Sequence, residues 1–215
     1  MNISELFSSY ITYLVHPFKS HQALIDGYSN EMSYVPRKLS IYEALSASWA
    51  FVVINGILRI LLLNFILLAF VKVSDSTGGL LSQLTSQNEF SGFYFLVLST
   101  ILDVIFYPLL TLILIQFWEI TIKIYGRLLH QEDSEQIDEK AKTIMSVTLS
   151  SHILLIVPII GGMAQSLASM ILLYAGLRKQ LKASPVLCAC IMITPLLFAF
   201  FMFSVFAILL MLIIL

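Results

Sequence analysis

Charge is scarce in this sequence. Only 12% of its 215 residues are Asp, Glu, Lys or Arg, against roughly 25% in a soluble domain. Such a chain cannot cover a water-facing surface in the usual way. Cysteine is scarce too. Cys188 and Cys190 lie two apart in an apolar stretch, so they build no disulfide framework and report no redox compartment. On a helix they face nearly opposite ways, which suits small buried side chains better than a metal pair; palmitoylation of one is the alternative. There is no glycine-rich phosphate loop, no HExxH and no nucleophile elbow. The polar loops are too short to hold a soluble catalytic domain. The expectation is a non-enzyme with no cofactor, no metal and no nucleic-acid partner. The first forty residues hold no long apolar run and no small-residue cleavage site, so no cleavable signal is expected.

What the chain has instead is apolar bulk. Hydrophobic residues make up 59% and the mean hydropathy is +0.92, which marks a multi-span membrane protein. Residues 1–40 read as an amphipathic cytoplasmic or interfacial segment. Ile3, Leu6, Phe7, Tyr10, Ile11 and Leu14 repeat at helical spacing. Pro17 ends that helix, and Phe18, His21, Leu24 and Ile25 form a second short face closing at Gly27. Both helices are too short to span, so they lie either on the bilayer or on the protein's own cytosolic surface.

Residues 41–215 read as a membrane domain of five transmembrane helices, in an all-α fold. Ser40 and Glu43 form a capping box before the first span, about Ile41 to Val71. A polar segment, Lys72 to Ser91, has the turn chemistry of a loop. The second span, about Phe93 to Tyr125, is bent at Pro108. Gly126 to Lys142 is acidic and leads into the next helix start. Thr143 to Leu177 is an apolar hairpin broken by Pro158 and Gly161-Gly162. Its arms sit near the lower limit for crossing, about 17 residues, so they are short spans or a re-entrant hairpin. Ser184-Pro185 caps the last helix, which runs to Leu215.

With the N-terminus cytoplasmic, the inner segments hold ten of the Lys and Arg residues, the outer side holds Lys72, and Arg59 lies within a span. That bias places the N-terminus inside and the C-terminus outside.

The order of parts resembles the Yip1 domain family of five-span membrane proteins, over roughly residues 11–213. The resemblance rests on "HPFKSHQAL" before the first span, "IYG" at the end of the second, and "SVTLSSHILLIVP" and "LLYAGLRKQLKASPVLC" further on. The Asp-Leu-x-Gly-Pro and Gly-Tyr-x-x-x-Pro stretches of eukaryotic members are missing, as is their long N-terminus. The chain is therefore more similar to the short bacterial members. The resemblance implies an organiser or adaptor in the bacterial inner membrane, with the lipid bilayer and other membrane proteins, or a second copy of itself, as partners.

The sharpest single feature is Arg59, in the middle of "FVVINGILRILLLNFILLAF". A charge at mid-bilayer costs about 2.5–3.5 kcal/mol or more. Asp103 and Glu119 in the second span are the candidate partners, with Asp103 preferred as the deeper acid; Asn55 and Asn64 share the helix of Arg59. A packing ion pair, a substrate or proton site, and solvation by headgroups or water are all open. His152 reads as hydrogen-bonded to a neighbouring helix, with a metal ligand or a proton relay as the alternatives. With Gln165 and the residues around Arg59 it would line the route of a small-solute or ion transporter, the alternative function. Gly162, Ser166, Ser169 and Gly176 fall on one stripe that would let helices pack closely, within the chain or between copies.

Overall fold

The computed structural model describes residues 3–26, 36–76, 88–129 and 134–214, and the regular structure within these is all helical. Two short helices come first, α1 (Ile3–Val15) and α2 (Pro17–Asp26). Pro17 both stops α1 and opens α2, because a first-turn position needs no N–H. Then follow α3 (Ile41–Ser76), α4 (Asn88–Leu129), α5 (Ser134–Thr148), α6 (Gly161–Gln180) and α7 (Pro185–Ile214). A 3-10 stretch, Leu149–Ile156, continues α5 towards the turn before α6. The capping box forms as expected: Ser40 N donates to Glu43 Oε2 at 3.1 Å, and Glu43 N donates to Ser40 Oγ at 3.2 Å. Most of the polar segment 72–91 and part of 126–142 lie outside the described residues; where described, α3 and α4 continue as helix through Ser76 and from Asn88.

Among the described residues, three helices are long and apolar enough to cross a membrane: Ile41–Ile66 of α3, Tyr94–Leu128 of α4 and Pro185–Met211 of α7. The expected third and fourth spans do not meet that standard. They form a hairpin of α5 with its 3-10 extension, and α6, turning at 157–160. Its turn reaches the level of Leu62 and Leu63 of α3, roughly 20 Å short of the described end of that helix at 1.5 Å per residue.

The core gathers at one end. Ile122, Ile144, Leu177, Leu181 and Ile191 are fully buried there, joining α4, α5, α6 and α7. The charged groups collect at the same end. Lys123 reaches Glu119 at 3.6 Å and also Asp138, which Lys142 holds at 2.6 Å. Lys38 pairs with Glu139 and Arg37 with Glu43. The Lys123 and Lys142 ammonium groups hold the Asp138 carboxyl below its ordinary range, and Lys38 does the same for Glu139.

α1 settles on the protein itself. Tyr10 and Tyr13 are buried; their hydroxyls donate to Ala44 O at 3.3 Å and to Arg37 O at 2.6 Å. The buried face is turned from the one that periodicity suggests, since Phe7 and Ile11 stay exposed. Tyrosine wins because its ring is apolar and its hydroxyl satisfies backbone carbonyls of the bundle.

α3 and α4 meet closely at Gly56, where an added Cβ would lie 3.0 Å from Val104 Cγ2 and 3.5 Å from Thr100 Cγ2. Two turns inward on α3, Trp49 Nε1 donates to Val104 O at 3.0 Å. That carbonyl is free because residue 108, its helical donor, is a proline without an N–H. Trp49→Phe should therefore lower stability in detergent by about 1 kcal/mol. In a Pro108→Ala background the new N–H takes the carbonyl, and the same change should have almost no effect. Equal losses of melting temperature in both backgrounds would show that the indole bond is idle.

Candidate functional site

Arg59 lines a cavity of about 400 Å³ between α3, α4 and the hairpin turn. Asn55, Leu62 and Leu63 come from α3, Leu96 and Thr100 from α4, Val157 and Ile159 from the turn, and Gly162 from the start of α6. The Thr100 hydroxyl is occupied by Leu96 O at 2.8 Å. No carboxylate stands among the described lining residues.

Neither expected acid meets Arg59. Among the described residues no side chain lies within ion-pair or hydrogen-bond distance of its guanidinium. Asp103 is exposed and does not line the cavity. The reason is register. Gly56 sits against Val104 and Thr100, so in the antiparallel pair Arg59 lies about 4.5 Å further out, past the level of Asp103. Glu119 is taken by Lys123 at the other end. Asn64 is also elsewhere, exposed and donating to Ile60 O of its own helix at 3.0 Å.

The turn that closes this cavity is strained. Ile160 N donates to Pro158 O at 2.9 Å across Ile159, whose φ is 72°. This three-residue turn with positive φ at its centre is the rare γ form, and a β-branched residue is poorly suited to it. Ile159 is 83% exposed, so little burial offsets the strain. Ile159→Gly should raise thermal stability by about 1 kcal/mol. A fall in melting temperature would mean that the isoleucine side chain holds the turn.

His152 belongs to a second cavity, of about 380 Å³, enclosed by α4, the α5 extension, α6 and α7. Its ring stands edge-on to Tyr107 with centroids 5.5 Å apart. Nδ1–H donates to Leu149 O at 3.0 Å, which leaves Nε2 to accept from Gln165 Nε2 at 3.5 Å, a long bond. Tyr107, Thr111, Trp118, Thr148 and Ser169 also bring polar side chains to its lining. The polar residues of a single transport route thus separate into two places, Arg59 with Asn55 and His152 with Gln165.

The small-residue stripe is also divided. Gly162 has nothing within 4 Å of an added Cβ, and Ser166 is exposed. Ser169 is half-buried beside the second cavity. Gly176 is a true close approach: an added Cβ would meet Ile144 Cγ2 at 2.9 Å and His21 Cε1 at 3.0 Å. The glycines that sequence reasoning missed are Gly126, whose Cβ would lie 2.8 Å from Ile137 Cγ2, and Gly161, 2.6 Å from Leu154 O.

His21, absent from the expected site residues, is fully buried between α2 and α6. Its Nε2–H donates to Leu172 O at 3.2 Å, and its Nδ1 accepts from Gln180 Nε2 at 3.1 Å. Only the neutral ring protonated at Nε2 satisfies both. Burial pushes its pKa down to about 4, against the upward pull of the Leu172 carbonyl.

Among the described residues no cluster of His, Cys, Asp and Glu is placed to hold a metal. No family model, curated protein or solved structure matches the chain.

Proposed function

We propose that this chain is a membrane protein of the Yip1 type that works by binding, as an organiser or adaptor that holds other membrane proteins or shapes the bilayer. One observation carries the reading. α1 buries Tyr10 and Tyr13 against the bundle while Phe7, Ile11 and Val15 stay exposed on the same helix. A helix held to its protein on one face and apolar on another suits the membrane interface or a partner lying there.

In this reading five segments enter the membrane. α3, α4 and α7 cross it, and the hairpin of α5 and α6 dips in from the cytoplasmic side. The charged end, with α1 and α2, is cytoplasmic; the end of α7 lies outside; the membrane is the bacterial inner membrane. The clustering of Arg37, Lys38, Lys123 and Lys142 at one end supports that orientation. Single cysteines at Ser86 and Gln136, on a cysteine-free background, should label from opposite sides of sealed vesicles. Cross-linking in native membranes should then capture a membrane protein or a second copy through Phe7 or Ile11. Labelling from one side sinks the topology; no cross-linked product from either position sinks the adaptor role.

The cavities favour a second reading, a small transporter, because each offers polar groups at membrane depth. Solute uptake or conductance in proteoliposomes, lost in Arg59→Gln or His152→Ala, is the result that would replace the first reading with this one.

A further inference from the structure

We propose that the Arg59 cavity binds the phosphate of a membrane phospholipid, and that this lipid is the counter-ion that no described residue supplies. The inference rests on the membrane reading of α3 and α4.

Among the described residues the guanidinium has no acid within reach, and none lines its cavity. A lone charge at membrane depth is expensive, and an anion from outside the chain would neutralise it. The place along the helix says where that anion comes from. Arg59 lies about 18 Å from Val71, where the apolar run gives way to Lys72, and about 27 Å from Ile41 at its start. A long arginine side chain covers part of the shorter distance. Headgroups on the Val71 side are the nearer ones, and the cavity beside Arg59 leaves room for one to be drawn towards it.

The walls suit a lipid rather than a free ion. Leu62, Leu63, Leu96, Val157 and Ile159 give an apolar lining along which an acyl chain lies. Asn55, one turn from Arg59, adds an amide donor to the planar fork of the guanidinium. Gly162 leaves its part of the wall open, with nothing within 4 Å of the position a Cβ would take. The strained turn at Ile159 shapes the rim of the same cavity, and strain of this kind persists where a site needs a fixed shape.

The test uses the full chain, delipidated in detergent and titrated with phosphatidylglycerol under native mass spectrometry. The expected result is one tightly held lipid per chain, with about tenfold weaker binding in Arg59→Gln and a smaller loss in Arg59→Lys, which keeps the charge but not the fork. Leu63→Trp fills the cavity while leaving Arg59 in place; it should lose the lipid as well, and it keeps the test decisive if Arg59→Gln does not fold. Diacylglycerol, which has the chains and no phosphate, should not bind at this site. Inorganic phosphate at millimolar concentration should not displace the lipid. Equal lipid binding by the wild type and both variants overturns the proposal. So does equal binding of diacylglycerol. Displacement by inorganic phosphate overturns the lipid assignment in favour of a free-anion site. Carbonate extraction of the same membranes separates the two levels: a chain released by carbonate fails the membrane reading, whereas an integral chain that holds no phosphatidylglycerol fails only this inference.

Discussion

Gly161→Ala is expected to prevent accumulation of folded protein, while Gly162→Ala, one residue on, is expected to be harmless. An alanine Cβ at 161 would lie 2.6 Å from Leu154 O and 3.1 Å from Leu155 Cα. Both are backbone atoms of the opposing arm, so no rotamer change relieves the clash. The hairpin must open or its turn must move, at about 3 kcal/mol or more, the upper end for overpacking. At 162 the added methyl meets nothing, and alanine favours the helix by up to about 1 kcal/mol. Size-exclusion profiles and melting in detergent compare the two directly. Matching behaviour of the two variants would show that the arms do not approach as described.

Acid should release the N-terminal arm. His21 is docked as the neutral ring with a pKa of about 4, whereas a solvated histidine titrates near 6.5. Between those values the undocked arm binds more protons than the docked one. Docking is therefore fully present above about pH 6.5, weakens as pH falls, and levels off below about pH 4, with a total change on the order of 3 kcal/mol. The carboxylates act in the other window. Asp138 and Glu139 are held below their ordinary values, so their contribution is lost only as pH falls through still lower values. A pH between 5 and 6.5 thus isolates the histidine. Relative to the intrinsic exchange rate at each pH, the protection of residues 17–26 should fall steadily as pH drops across that interval. In His21→Gln the protection should stay flat across it. An identical slope in the variant would place the titrating group elsewhere.

Short-range chemistry was legible in the chain. The Ser40–Glu43 box, Pro17 as the break between α1 and α2, and Pro185 at the first position of α7 all act within a few residues of themselves, and all are found where their spacing puts them. Membrane class follows from composition, because apolar excess and scarce charge need no tertiary detail. One longer-range bond was also readable in principle. Pro108 leaves Val104 O without a donor, and a donor had to come from somewhere; Trp49 supplies it.

Packing register was not legible. Arg59 misses Asp103 because Gly56 sets where α3 rests on α4, and a slide of one turn would change the partner. Apolar runs specify burial without specifying level, since one leucine serves the contact as well as another. The depth of the hairpin escaped for the same reason: Pro158 and the glycine pair announce a turn, but only its seating beside Leu62 and Leu63 shows how far it reaches. Gly161 and Gly162 are identical neighbours in the chain and differ only in what faces them. Periodicity put His21 on the inward face of a short amphipathic helix, but not what it meets there: its partners, Leu172 and Gln180, are some 150 residues away. Contacts at that separation are decided by how whole helices come together, and no local pattern encodes them.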